Sequence, residues 1–199
     1  MFDLHLPRFF SNNYLPMPAH PTVPEFRYAP ASDTGGYIFG AERPGYGSKD
    51  VSRAQLDAWL AFMDSRGIER VCCLLDQEQL EYYKHSPLLE TYESKYGSSN
   101  VLHALIPDFE LSEVSLLVEQ ILPFLNDSKS YRRNTVVHCA GGKGRTGHVL
   151  AAWLVHSEKR SPEEALATVE LLFREPLEAI KHGRASYEEL KTLLFAAAS

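Results

Sequence analysis

The run His138-Cys139-Ala140-Gly141-Gly142-Lys143-Gly144-Arg145-Thr146-Gly147 sets a cysteine six positions ahead of an arginine, with glycines at 141, 142 and 144 between them. A glycine-rich turn lets successive backbone N–H groups converge on one point, and a helix opening behind it adds the positive end of its dipole. Such a nest suits a phosphate dianion. The same amides, the dipole and the charge of Arg145 favour the thiolate of Cys139 at the mouth of the nest. The planar fork of Arg145 can clasp two phosphate oxygens while the sulfur faces phosphorus. A thiolate, a bidentate cation and a ring of donors supply the positioning and charge neutralisation that phosphoryl transfer to a side chain requires. A proton for the leaving group is still needed. Asp108, in Ile106-Pro107-Asp108-Phe109, is the expected general acid and then the base for the attacking water, with Asp76 as its rival.

These residues need a scaffold that brings them to one edge. Thr135, Val136 and Val137 read as a buried strand, and Thr146 to Glu158 as a helix apolar on nearly all sides through Val149, Leu150, Ala152, Trp153 and Val155. Strand, turn, helix places the loop at the carboxyl edge of an α/β sheet, where ligands collect. The apolar runs Val71 to Leu75 and Val101 to Ile106 supply two more strands, ending just before Asp76 and Asp108. Phe26 to Ala29 and Tyr37 to Phe39 read as a hairpin around Pro30 and Gly35-Gly36. Helices are expected from the Ser52/Gln55 capping box to Gly67, in irregular pieces over 77–96 broken near Pro87, and from Ser112 onward with a bend at Pro123. Two more start at Ser161-Pro162-Glu163-Glu164, reaching about Arg174, and at Ser186/Glu189. Strands alternating with helices up to residue 159, then helices alone, predict a single α/β domain with a mostly parallel central sheet flanked by helices.

Composition sets outer bounds. Of 199 residues, 44% are hydrophobic and 23% charged, enough for one substantial core. The net charge of -6 offers no general basic field, so nucleic acid is not an expected partner and phosphate affinity must be local. Three cysteines, two of them adjacent, form no disulfide framework and suit a reducing cytoplasm. No stretch reads as a membrane span, a signal peptide or an anchor. Residues 1–24, with five prolines among aromatic residues, read as an arm ahead of a catalytic domain over 25–199. Gly142 to Gly147 also spells G-x-G-x-x-G, a dinucleotide pattern. That reading requires a further parallel strand after the helix, and Ser161 to Arg174 is a capped helix instead. The triphosphate loop with Gly-Lys-Ser/Thr is absent.

The signature His138-Cys139, five residues, Arg145-Thr146 resembles that of the dual-specificity group of protein tyrosine phosphatases. The likeness extends in order and spacing over residues 25 to 198, through Glu25-Phe26-Arg27-Tyr28, the Gly40-Ala41-Glu42-Arg43-Pro44 turn, Ile68 to Leu75, Ile106-Pro107-Asp108-Phe109 and the helices after 161. It implies a phosphocysteine on Cys139, with Arg145 and the amides of Ala140, Gly141, Gly142, Lys143, Gly144 and Arg145 holding the phosphoryl oxygens. It further implies that Asp108 serves as acid and base, that the Thr146 hydroxyl helps expel the sulfur, and that His138 orients the loop and keeps the thiolate stable. No metal or organic cofactor is implied. The implied substrate is a phosphorylated protein, phosphotyrosine preferred. The loop is also similar to H-C-K-A-G-K-G-R-T-G of the phosphatase-and-tensin lipid phosphatases, Lys143 matching their second lysine and Ala140 replacing the first, so a phosphoinositide or inositol phosphate is the alternative. A phosphate-binding pseudophosphatase is the alternative of another class. Cys72 and Cys73 alternate in their strand, and one of them is a candidate redox partner for Cys139, against simple core packing.

Overall fold

Parallel strands need long crossovers, and the helices between the apolar runs supply them. In the computed structural model, which describes residues 22–198, Arg70–Cys73 (β3), Val101–His103 (β4) and Thr135–Cys139 (β5) follow Ala29–Pro30 (β1) and Ile38–Glu42 (β2). The sheet order is β1-β2-β5-β3-β4, parallel throughout except for β1, which returns antiparallel against β2. Because the four parallel strands run one way, their carboxyl ends meet at one edge. Glu42 lies level with Cys139, and Cys73 with His138. The expected arm lies outside the described residues as far as residue 21.

Strand alternation sends successive side chains to opposite faces, and each face is covered by its own helices. On one, Val71, Cys73 and Val136 pack with Leu56, Trp59 and Met63 of Arg53–Ser65 (α1), and with Tyr83, Leu88 and Tyr92 from Gln77–Leu80 (α2), the turn after it and Leu88–Tyr96 (α3). On the other, Cys72, Val137 and Cys139 pack with Gly144–Glu158 (α6), which is buried from Gly144 to Val155. Around α6 lie Val114–Leu116 (α4) and Leu122–Ser130 (α5), then Pro162–Leu171 (α7), and beyond Glu178–Lys181 (α8) the last helix, Tyr187–Ala196 (α9). Each fully buried large apolar side chain contributes about 1.5–3 kcal/mol relative to exposure. The capping boxes at Ser52/Gln55, Ser161/Glu164 and Ser186/Glu189 are all formed.

Four local expectations are corrected. Glu25–Arg27 form a 3-10 turn rather than a strand, with Phe26 and Arg27 at positive φ. Phe26 packs edge-on against Phe62 and Tyr28 stacks on Phe39, so aromatic anchoring overrides β propensity there. Ser112 does not cap a helix: the N-cap is Glu113, and the Ser112 N–H is turned toward His148. Ahead of Pro123, which lacks an N–H, a π turn over Leu117–Ile121 interrupts the single regular helix expected there. The helix expected to run to about Arg174 stops at Leu171, leaving Arg174 in the following loop.

The turn after β2 is built around Arg43. Its Nη1 donates to the carbonyls of Pro44 (3.0 Å) and Gly45 (3.3 Å) and to the Tyr83 hydroxyl (3.2 Å), and its Nη2 to the Ser48 carbonyl (2.6 Å). The guanidinium lies over the Tyr82 and Tyr83 rings. Arg43→Met strands these buried acceptors, and we expect a loss of about 2–4 kcal/mol in urea unfolding with the m-value unchanged. A loss below about 0.5 kcal/mol would show that water replaces the guanidinium freely.

Candidate active site

The loop expected to hold phosphate leaves β5 at Cys139, which is 3% exposed. Gly142 takes φ +64°, and a Cβ there would lie 2.5 Å from the Ala41 carbonyl group, so only glycine lets the loop settle on the end of β2. Several of the loop's carbonyls find donors in the surrounding protein. The Arg43 N–H serves Ala140 O at 3.0 Å, the Arg174 Nη1 serves Gly142 O at 2.6 Å, and the Gly147 N–H serves Lys143 O at 2.7 Å. Arg174 also donates through Nη2 to Gly40 O at 2.8 Å. Burial pulls the Arg174 guanidinium down to about 10, while negative charge on Cys139 acts to keep it protonated.

Arg145 sits in the first turn of α6 with 2% exposure. Its Nη1 donates to Ile106 O (2.9 Å) and Leu74 O (3.3 Å), its Nη2 to Asp108 Oδ1 (2.7 Å) and Gln79 Oε1 (3.0 Å). Asp108 is thus brought to the clamp by the loop after β4, while remaining partly exposed. The turn holding it is strained, since Phe109 adopts φ +62°. Phe109 lies against His182, ring centroids 4.2 Å apart and planes tilted by 38°. Asp76 caps α2 through the Gln79 N–H and lies 3.9 Å from Arg145 Nη1, so it is occupied as a cap.

His138 is fully buried between Trp59 and Tyr92. Its Nδ1 lies 3.4 Å from the Cys139 carbonyl, which can only accept, so Nδ1 carries the hydrogen and Nε2 accepts from the Tyr92 hydroxyl at 3.1 Å. Burial holds His138 down at about 3, so the ring is neutral and acts on the loop through this hydrogen bond rather than through charge. His148, one turn into α6, is held down to about 3 by burial, and its Nε2 accepts the Ser112 N–H at 3.2 Å, tying α6 to the end of the acid loop. The Thr146 hydroxyl is buried with no partner. Lys143 is bound to Glu175, Nζ to Oε1 2.8 Å, and the Gly144 N–H donates to Glu178 Oε2 at 3.1 Å. Cys72 shares the core of Cys139, whereas Cys73 lies on the opposite face; burial pushes Cys73 up to about 12 and Cys72 higher still, leaving both as inert thiols.

Residues 45–159, more than half of the chain, match the family described as Tc-R-P, the DSP-PTPase phosphatase of polymorphic toxin systems. The chain belongs to this family. Among curated proteins, this DSP-PTPase is 32% identical over 124 residues to cyclin-dependent kinase inhibitor 3 of Rattus norvegicus, covering 62% of this chain and 57% of that one. It is 35% identical over 92 residues to a phosphatidylinositol 3,4,5-trisphosphate 3-phosphatase of Dictyostelium discoideum, covering 45% and 14%. The chain therefore spans little more than half the length of the first relative and a small part of the second. Among solved structures, Tk-PTP in its active form is 28% identical with a TM-score of 0.57, over 82% of this chain and 92% of that one. The kinase-associated phosphatase with serine for its catalytic cysteine shares the fold at 23% identity and a TM-score of 0.61, over 84% and 89%.

Arg174, Glu178, Gln79 and His148 were not legible as site residues. Arg174 and Glu178 stand 29 and 33 positions beyond Arg145 (174 − 145 and 178 − 145) with no spacing that ties them to the loop. With Arg174→Met, we expect iodoacetamide to alkylate Cys139 about three- to tenfold more slowly at pH 7, because a cation near the sulfur is lost; an unchanged rate would make Arg174 a brace only. Acid sensitivity follows from the two buried histidines. Both stay neutral in the fold down to about 3, against an ordinary 6.5. The unfolded chain therefore binds more protons between these values, and stability is full above 6.5 and falls as pH drops. The slope approaches about 1.4 kcal/mol per pH unit for each histidine. Urea unfolding between pH 6.5 and 5 should show this fall, and His148→Gln, which keeps an acceptor for Ser112, should reduce its slope by about half; an unaltered slope excludes His148 as its source.

Proposed function

We propose that this chain hydrolyses phosphomonoesters through a phosphocysteine on Cys139, with phosphotyrosine in protein as the preferred substrate. The observation that carries this reading is the meeting of acid and clamp. Asp108 Oδ1 lies 2.7 Å from Nη2 of Arg145, the arginine six residues after a cysteine at the base of an amide-lined loop. In the proposed sequence the Cys139 sulfur attacks phosphorus, and the amides of Ala140 to Arg145 and the Arg145 fork hold the equatorial oxygens. A phosphoryl group that takes the fork frees Asp108, which takes up a proton from solvent, turns to the leaving oxygen and donates that proton to it. Asp108 then takes a proton from water as the water attacks phosphorus, the P–S bond breaks, and the unpartnered Thr146 hydroxyl donates to the departing sulfur. Neutral His138 holds the Cys139 carbonyl and so the loop.

The catalytic unit in this reading spans 25–199 behind an arm over 1–24. Three free thiols support a cytoplasmic setting; among the described residues no helix is long and apolar enough to cross a membrane. The phosphoinositide alternative leans on Lys143 and on the likeness to the Dictyostelium lipid phosphatase. The pairing of Lys143 with Glu175 supports the protein substrate instead. A pseudophosphatase would lack nucleophile, clamp or acid, and here all three are present.

Cys139→Ser should release no phosphate from an aryl phosphate while still binding inorganic phosphate. Asp108→Asn should lose about 10²–10⁴ in kcat on alkyl phosphates but far less on aryl phosphates with good leaving groups, since only a poor leaving group needs the proton. Equal losses on both would remove Asp108 as the acid.

A further inference from the structure

Glu178 opens α8, outside the stretch matched to the family, and reaches the start of α6. Its Oε2 accepts the Gly144 N–H at 3.1 Å. This amide belongs to the set that, in the reading above, holds the phosphoryl oxygens. A Cβ on residue 144 would lie 2.1 Å from that oxygen, so glycine at this position is what admits the carboxylate. The charged groups facing Glu178 are Glu175 from the preceding loop, Lys143 from the phosphate loop and Asp108 from the acid loop. Burial first, then Glu175 and Asp108, push its carboxyl above the ordinary range.

The lysines nearby are already engaged. Lys143 Nζ is 2.8 Å from Glu175 Oε1, and Lys181 Nζ is 3.8 Å from Glu175 Oε2. An approaching ligand thus meets Asp108, Glu175 and Glu178 among Arg145, Lys143 and Lys181, with Arg27 also acting on Glu175, a mixed set rather than a basic rim. One N–H serves one acceptor well, so an oxygen that needs the Gly144 amide must displace Glu178.

Resting on the phosphatase reading, we propose that Glu178 is a specificity-determining residue, a resident carboxylate that competes with the incoming phosphoryl group for the Gly144 amide. With Glu175 it selects an isolated phosphomonoester over a phosphate borne on a ring with further phosphates. A single phosphoryl group brings enough charge to displace one carboxylate and is then held by Arg145. Additional phosphates would face Glu175 and Glu178, whose neighbouring lysines are already engaged.

The test uses the full chain. Calorimetry with inorganic phosphate on Cys139→Ser should show about three- to tenfold tighter binding when Glu178→Ala is added, with Glu178→Gln, which keeps the size and an acceptor oxygen, in between. In the chain with Cys139 intact, the same two substitutions should raise kcat/KM on a soluble inositol polyphosphate relative to an aryl phosphate by a similar factor. Unchanged or weaker phosphate binding in both Glu178 variants would overturn the proposal, making Glu178 a cap on α6. Tighter phosphate binding with an unaltered substrate ratio would overturn the selectivity. If the unsubstituted chain turns over no phosphomonoester while phosphate binding still responds to Glu178 as expected, the catalytic reading fails and the competition stands.

Discussion

A loop that turns its amides inward around an anion turns carbonyl oxygens outward into the protein, and buried carbonyls need donors. The whole site depends on how that requirement is met. The Cys139 carbonyl has the His138 ring N–H, Ala140 the Arg43 N–H, Gly142 the Arg174 guanidinium, and Lys143 the Gly147 N–H. These donors come from β5 itself, the turn after β2, the loop after α7 and α6. The loop is therefore held by four elements, and the buried Arg174 guanidinium both binds its backbone and interacts with Cys139. Removing such a guanidinium costs more than its own hydrogen bonds, since the stranded acceptors stay buried.

The clamp shows the same economy on the opposite side. Arg145 is almost wholly buried, and without a ligand its fork is satisfied by two strand-end carbonyls, Gln79 and Asp108. A buried cation left unpaired would be costly, so the resting contacts keep it in place ready for exchange. Asp108 differs from the other three partners in being a carboxylate with solvent access. The strained Phe109 and its tilted contact with His182 brace the Asp108 loop from outside, and His148 ties its far end through Ser112.

The strand–loop–helix unit was plain in the sequence because its signals are local: a β-branched run, glycines in a short turn and a helix apolar all round. The placement of Asp108 on the same edge followed from parallel pairing of β3, β4 and β5, which the register bears out. Local signals misled where tertiary contacts set the backbone, as at Phe26 and Arg27, and at Ser112, whose N–H turned out to serve a histidine 36 positions away. In the sequence, Arg174 reads as the end of a helix. A charged residue after an amphipathic helix usually faces water, and nothing in the neighbouring residues marks one that folds back under a glycine loop.

That last segment changes what the glycine pattern means. Gly142 and Gly144 belong to a spacing shared with dinucleotide loops, yet here each answers a different neighbour, the end of β2 in one case and the Glu178 carboxylate in the other. Glu178 and His182 are four positions apart, so the single turn of α8 sets them on one face, where Glu178 touches the phosphate loop and His182 the acid loop. Arg174 and Glu175 precede that turn and reach Gly142 and Lys143. Nine residues, 174–182, thus touch both the loop that carries Cys139 and the loop that carries Asp108, and a segment that contains neither residue bridges the two.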